Sequence, residues 1–467
     1  MNLSDSELAQ AGALLTDFLR AFEKSVEQRR VVPILDRDQL STILSEPFSE
    51  TGSDVESLFR DIETKVLPNS TTVAHPRFLA YVLGPPNGIA PFAEAVAAAL
   101  NQNCNIWQLS PAASVIERKI TAWLGGLFDY PDGAGGILTS GGSMATLMAL
   151  SAAVHSKAPI DVRRAGLCGL TSPLVVYTSE EAHKCVEKGA AILGIGLDHV
   201  RKIPVDADFR MRMDVLESAI EQDRRAGKTP VCVVATAGTV NTGAIDPLHP
   251  LADVCARENL WLHVDGAYGA LFVLSPSVRD SLRACSRADS IALDPHKLLF
   301  APLEAGCLLV RDRESLRKAF HFASSYLTVE EDPLLTDFLE YGPQLSRAFK
   351  AFKIWCALRL FGIGAFRAAH ERMLELAQYL AARITAEPRL QLLAPVTLTA
   401  VCFRFREGVD HRRVLDKLAE EGTALLGPVV INGQFGIRAC IANYRTTQRD
   451  IDLVIERLLA LGTSPPA

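Results

Sequence analysis

Asp294-Pro-His296-Lys297 puts a lysine directly after a histidine, 32 residues beyond the aspartate of His263-Val-Asp265-Gly-Ala267-Tyr. A lysine amine can form a Schiff base with a carbonyl. A carboxylate at the end of an earlier strand can keep a pyridine nitrogen protonated, so that the ring accepts electrons. The two groups in this order point to pyridoxal phosphate chemistry, which needs both. Most lysines are solvated, and burying one uncompensated is costly. Lys297 is flanked by Ala292-Leu293 before its motif and Leu298-Leu-Phe-Ala after it, and an imine would remove its full charge.

Three further places could serve that chemistry. Gly141-Gly142-Ser143 precedes a strongly helical segment, and a glycine-rich helix start exposes N–H groups to a phosphate. Alone, such a loop is equally a helix cap. His183 is a surface or capping histidine, or an imidazole that stacks on the pyridine ring and meets a substrate carboxylate. His296 packs beside Lys297 or reaches the phosphate.

The elements that must position these groups follow from the apolar patterning. Leu174–Tyr177, Val231–Ala235, Trp261–Val264 and Cys307–Val310 are short β-branched runs that predict buried strands. Helical patterns at 143–155, 180–193, 212–226 and 248–258 lie among them. Alternation of this kind predicts an α/β fold with a mostly parallel central sheet flanked by helices, with ligands beyond the carboxyl ends of the strands. An amphipathic helix is expected over 5–29 and a long one over 345–385. Strands at 399–405 and 436–442 with a helix at 411–421 predict a smaller α+β C-terminal domain. The expected organisation is a helical segment over 1–87, a large domain over 88–350 and a small one over 351–467.

Hydrophobic content of 48%, charged content of 22% and a formal charge of −6 are ordinary for a globular protein and suggest neither nucleic acid nor a membrane surface as partner. The ten cysteines form no C-x-x-C pair, so neither a metal site nor a disulfide framework is expected. The acidic N-terminus does not resemble a signal peptide, and no apolar run approaches the roughly 20 residues that span a bilayer. A cytoplasmic location is the expectation.

With these residues in view, the chain resembles the group II pyridoxal-phosphate-dependent amino-acid decarboxylases of fold type I, the aromatic-L-amino-acid and glutamate decarboxylase family. The resemblance is carried by HPRFLAY (75–81), SPAASVIERKITAWLGGL (110–127), TSGGSMATL (139–147), ATAGTVNTGAIDPL (235–248), HVDGAYG (263–269) and DPHK (294–297). It implies pyridoxal 5'-phosphate as cofactor, Lys297 as the Schiff-base lysine and Asp265 as the partner of the pyridine nitrogen. Ala267 and His183 would cover the two ring faces. Gly142, Ser143, Asp294 and His296 match the phosphate-binding set, and Ser346 lies in the loop that a neighbouring subunit contributes. Tyr326, 29 residues beyond Lys297, matches the tyrosine thought to protonate the quinonoid carbon after carbon dioxide leaves. Members that make aldehydes oxidatively tend to replace that tyrosine or the stacking histidine, so retention of both favours plain decarboxylation.

The resemblance further implies a homodimer with shared active sites and a mobile loop around 320–335. Tyr81, Val82, Asn103 and Asn105 are expected against the substrate side chain. An aromatic substrate (dopa, tyrosine, tryptophan or phenylalanine) is the family's default. Asn103 and Asn105 stand where the aromatic enzymes carry apolar side chains. With Arg77, they leave a polar or acidic amino acid such as glutamate, aspartate or diaminobutyrate open. Oxidative aldehyde formation is a further alternative. Arg438 could bind a carboxylate or form a structural ion pair.

Overall fold

A computed structural model describes residues 1–322 and 336–463. Tyr326 and most of the expected mobile loop lie outside the described residues. The chain divides into two compact units. The larger comprises Val82–Ala381 and Ala394–Cys402; the smaller comprises Met1–Tyr81, Ala382–Leu393 and Phe403–Ala467.

The larger unit is built on a seven-stranded sheet of β1 (Gly135–Thr139), β2 (Leu174–Ser179), β3 (Val200–Ile203), β4 (Thr229–Thr236), β5 (Trp261–Asp265), β6 (Ser290–Leu293) and β7 (Gly306–Val310), in the order β1-β7-β6-β5-β4-β2-β3. Neighbours from β3 to β6 pair in parallel, and β7 runs antiparallel to both β6 and β1. Every residue of β2, β5, β6 and β7 is buried. That explains their continuous apolar character, because strands covered on both faces have no polar side to alternate with. The helix Gly142–Lys157 carries Ala145, Ala149, Ala152 and Ala153, all buried. Small side chains on several faces let it lie in the core instead of on the surface.

Parallel strands finish at one edge, and here that edge collects the polar residues. Thr236 at the end of β4 lies beside Asp265 at the end of β5, and Asp265 beside Ala292, two residues before Asp294. Thr139 ends β1 and leads into Gly141-Gly142.

Two expected helices differ from their predicted extents. The one expected over 180–193 spans only Cys185–Ile192. The Ser179 hydroxyl accepts from Glu181 N at 3.0 Å and His183 Nδ1 accepts from Cys185 N at 3.2 Å, so side chains take N–H groups that a longer helix would use. The one expected over 345–385 starts at Lys350, runs to Ala386, and is broken where Gly362 adopts φ 70° and ψ 159°.

The smaller unit contains β8 (Leu390–Leu392), β9 (Ala400–Phe405), β10 (Gly427–Ile431) and β11 (Gln434–Cys440) in the order β10-β11-β9-β8, the division between units falling inside β9. Asn432 and Gly433, both at positive φ, close the β10–β11 hairpin. The helix Asp5–Ser25 opens on a capping box of Ser4 and Glu7, and none of its residues is buried.

Gly306 is fixed by sterics. A Cβ there would lie 2.4 Å from Gly141 Cα and 2.5 Å from Gly141 N, which are backbone atoms that cannot rotate away. Gly306→Ala is expected to destabilise the protein by about 1–3 kcal/mol, as overpacking in well-filled interiors does. Urea unfolding checks this, and an unchanged midpoint would refute the close approach.

Candidate active site

Four chain segments converge at the carboxyl edge of the large sheet. The first is the start of the helix Gly142–Lys157, which no side chain caps. Ala145 N already donates to Gly141 O at 3.1 Å, so the N–H groups of Gly142, Ser143 and Met144 are left at the helix end. Gly141 and Gly142 face Asp294, His296 and Ala267. A Cβ on Gly142 would meet Ala267 Cβ at 2.7 Å and Asp294 Oδ2 at 3.3 Å, and one on Gly141 would lie 3.4 Å from His296 Cε1. Ser143 is exposed at the same helix end.

The second segment is the short helix Pro295–Leu298 after β6. It holds Lys297 with its side chain 23% exposed and Nζ 2.9 Å from Asp294 Oδ2. His296 Nε2 lies 3.5 Å from the same oxygen, while Nδ1 is 2.8 Å from Ala305 O, and burial lowers the pKa of the ring. Asp294 sets this arrangement, since its carbonyl also accepts from Lys297 N at 2.9 Å.

The third segment is the end of β5. Asp265 is buried, and its Oδ1 accepts from Ala267 N at 3.2 Å. The fourth is the loop before the helix Cys185–Ile192. There Nδ1 of the exposed His183 caps Cys185 N, so the neutral ring carries its proton on Nε2. His183, Cys185 and Asp265 each present a ligand atom within 4.8 Å of the others. A cation could share them, but burial raises the Cys185 thiol well above its ordinary pKa, and a protonated thiol is a poor ligand.

This edge fits a phosphorylated pyridine aldehyde. It combines a lysine amine, a buried carboxylate and an uncapped helix start, each suited to a different part of that molecule. Among the described residues, Thr236 Oγ1 beside Asp265 and Asp294 Oδ1 beside Lys297 are buried without a hydrogen-bond partner. Unsatisfied buried oxygens at the mouth of such a site are what a polar ligand completes.

The other expected residues fall differently. Asn103 Oδ1 accepts from Arg347 N, and Asn105 Oδ1 accepts from Ile106 N. Val82 is half-buried in the larger unit, and Ser346 is exposed. In the smaller unit Tyr81 is exposed. Arg77 donates to Thr423 O and pairs with Asp450 at 3.1 Å, and Arg438 donates to Ala80 O at 2.8 Å. Sequence reasoning missed the buried pair of Arg347 and Glu117, which braces β1 through Leu138 N and Leu138 O. It also missed Cys185, whose spacing from His183 carried no signal of its own.

A mostly parallel sheet with a lysine, an aspartate and a helix start at its carboxyl edge defines a pyridoxal-phosphate-dependent enzyme of fold type I. The family model for the pyridoxal-dependent decarboxylase conserved domain matches residues 38–406. Aromatic-L-amino-acid decarboxylase of Bacillus atrophaeus is 33% identical over 99% of this chain and 97% of its own length. Histidine decarboxylase of Drosophila melanogaster is 32% identical over 95% of this chain and 54% of its own. A crystal structure of Oryza sativa TDC with PLP and tryptamine superposes with a TM-score of 0.92 at 26% identity, covering 99% of both chains. The chain therefore belongs to the pyridoxal-dependent decarboxylase family. It is a carboxy-lyase that uses pyridoxal 5'-phosphate and acts on an amino acid.

Burial of imidazoles makes the fold sensitive to acid. His263, next but one to Asp265, is buried with its pKa lowered to about 4, as are His75 and His370. Each stays neutral in the folded chain but takes a proton near pH 6.5 when unfolded. Stability is therefore complete above 6.5 and is lost as pH falls toward 4, by up to about 3 kcal/mol for a fully buried ring. Buried Asp246, raised to about 6, works in the opposite sense over nearly the same range, as do Asp289 and Asp337, which burial also raises, while His296 and His411, lowered by burial, add to the imidazole side. The thermal midpoint is expected to drop steadily between pH 7 and pH 4.5, and a rise on acidification would refute this.

Proposed function

We propose that this enzyme decarboxylates an aromatic L-amino acid to its amine and carbon dioxide. The observation that carries the substrate class concerns the residues that had kept a polar or acidic substrate open. The side-chain oxygens of Asn103 and Asn105 each accept a backbone N–H of their own unit, and the Arg77 guanidinium is engaged by Asp450 and Thr423 O. Groups already bonded within the fold are poor selectors, because selectivity for a polar side chain needs buried partners that its absence would leave unpaired. The relative from Bacillus atrophaeus supports the same class.

Bound pyridoxal 5'-phosphate supplies a carbonyl for the substrate amine and a ring that draws in the electrons released with carbon dioxide. Lys297 would hold the cofactor through Nζ, and Asp265 would keep a proton on the pyridine nitrogen. Ala267 and His183 would flank the ring, with His183 Nε2–H free to orient the substrate carboxylate. The N–H groups of Gly142 and Ser143, the Ser143 hydroxyl and His296 would hold the phosphate. Asp294 keeps the Lys297 amine in place between encounters, at 2.9 Å. Tyr326, by its match to the family position, returns a proton to the substrate carbon.

We also read the active unit as a cytoplasmic homodimer with shared sites. Leu8 and Leu15 are exposed on the Asp5–Ser25 helix, whose residues include none that is buried, and a second copy would cover them. Ser346 and Tyr326 would then serve the neighbour's site, with Tyr81 and Val82 beside the substrate.

The test is a product assay with each proteinogenic amino acid, dopa and diaminobutyrate. Amine and carbon dioxide from aromatic substrates are expected, falling by at least a thousandfold in Lys297→Ala. Release from acidic substrates alone would overturn the substrate class, and aldehyde with peroxide would overturn the outcome assigned to His183 and Tyr326. Verified heterodimers of Lys297→Ala and Tyr326→Phe subunits are expected to regain up to one full site's activity, half that of the wild-type dimer. No regain would refute shared sites.

A further inference from the structure

Asp265 ends a line of buried polar side chains that the reaction described above leaves without a part. Trp261 Nε1 donates to Ser290 Oγ at 2.8 Å, and Ser290 Oγ is 2.9 Å from His263 Nδ1. His263 Nε2 is 3.4 Å from Thr146 Oγ1, which is 3.7 Å from Cys185 Sγ. Cys185 Sγ lies 3.6 Å from Asp265 Oδ2. All six residues are buried.

The direction of the line follows from its ends. An indole N–H only donates, so the Ser290 oxygen accepts it; at the other end the carboxylate only accepts, and with the thiol, Thr146 and His263 Nε2 donating toward it, His263 Nδ1 is left to accept the Ser290 proton. Neutral His263 then carries its proton on Nε2 and offers it to Thr146 Oγ1. The Thr146 hydroxyl turns toward Cys185 Sγ, and the single thiol proton goes to the carboxylate, the strongest acceptor within its reach.

We propose that this line is a positioning device for the Asp265 carboxylate, and that Cys185 is the positioning residue at its end. Its thiol fixes Oδ2 while Ala267 N–H fixes Oδ1 at 3.2 Å. Held at both oxygens, the carboxylate cannot turn its plane when the pyridine nitrogen approaches. A burial-lowered His263 and a burial-raised Cys185 thiol agree with the neutral ring and protonated thiol the line requires. The backbone supports the contact. Gly189, one turn after Cys185, brings its helix so close to the helix Gly142–Lys157 that a Cβ would lie 2.9 Å from Leu150 Cδ1 and 3.7 Å from Leu147 Cα. Thr146 and Leu150 are one turn apart on that facing helix, so the same approach that packs Gly189 brings Cys185 to Thr146.

The role of the device rests on Asp265 being the partner of the pyridine nitrogen, but the hydrogen bond itself does not. Infrared difference spectra of cofactor-free protein, wild type minus Cys185→Ala, isolate the Cys185 S–H stretch. The band is expected at lower frequency in wild type than in an Asp265→Asn background, where the anionic acceptor is gone. An identical frequency would overturn the contact. In the holoenzyme, Cys185→Ala is expected to weaken cofactor binding about five- to tenfold, the scale of one ordinary hydrogen bond, because a thiol is a weak donor even to a carboxylate. It should also shift the pH titration of the bound cofactor's visible band, and Cys185→Ser should restore both. Equal losses in the two variants would overturn the positioning role in favour of packing. If Asp265→Asn leaves cofactor binding unchanged while the infrared shift is present, the reading of Asp265 fails and the contact stands.

Discussion

The site depends on missing side-chain volume where β7 passes the start of the helix Gly142–Lys157. Gly306, opposite Thr139 in the sheet, lets the Gly141 backbone come within the space a methyl would occupy. Gly142 in turn meets Ala267 and Asp294. These contacts bring the helix end, the end of β5 and the Lys297 turn into one place. The chemical groups are supplied by polar residues, but their convergence is set by three glycines and an alanine that let backbones touch. Polar groups placed an ångström wider would keep their identities and lose most of their effect on a bound ligand.

Much of this was legible in the sequence. The apolar runs marked β2, β4, β5 and β7 because buried parallel strands carry a dense signal. β1, with two glycines among its five residues, and β3, with Arg201 and Lys202, carry too few apolar residues for periodicity to reveal them. The ends of helices were less clear. The Cys185–Ile192 helix starts late because Ser179 and His183 bind the backbone ahead of it, and neither bond leaves a mark in the apolar pattern. Lys297, Asp265 and the glycine loop were readable because their chemistry demands particular residue types in a fixed order. Asn103, Asn105 and Arg77 drew attention by their types alone, which did not reveal the bonds their side chains make to Arg347 N, Ile106 N and Asp450 within the fold.

Arg347 and Glu117 are a second instance of function and framework sharing the same stretch. The pair is almost fully buried, with further bonds from Arg347 to Cys104 O and Leu138 O. Removing one partner of such a pair strands the other charge and costs several kcal/mol. The position of β1, and with it the Gly141-Gly142 turn, is thus tied to the segment that carries Ser346.

The antiparallel course of β7 gives Lys297 an unusual mooring. The chain leaves β6 at Leu293 and re-enters the sheet at Gly306 on the adjacent strand, so the lysine sits in a short connection pinned at both ends to paired strands. In the proposed reaction Lys297 and the amines of substrate and product would compete for one cofactor. A side chain whose backbone has so little freedom would stay beside that cofactor at an effective concentration far above that of any dissolved amine. The tethered amine would then have the advantage over the product, and the enzyme would reset without waiting for a collision.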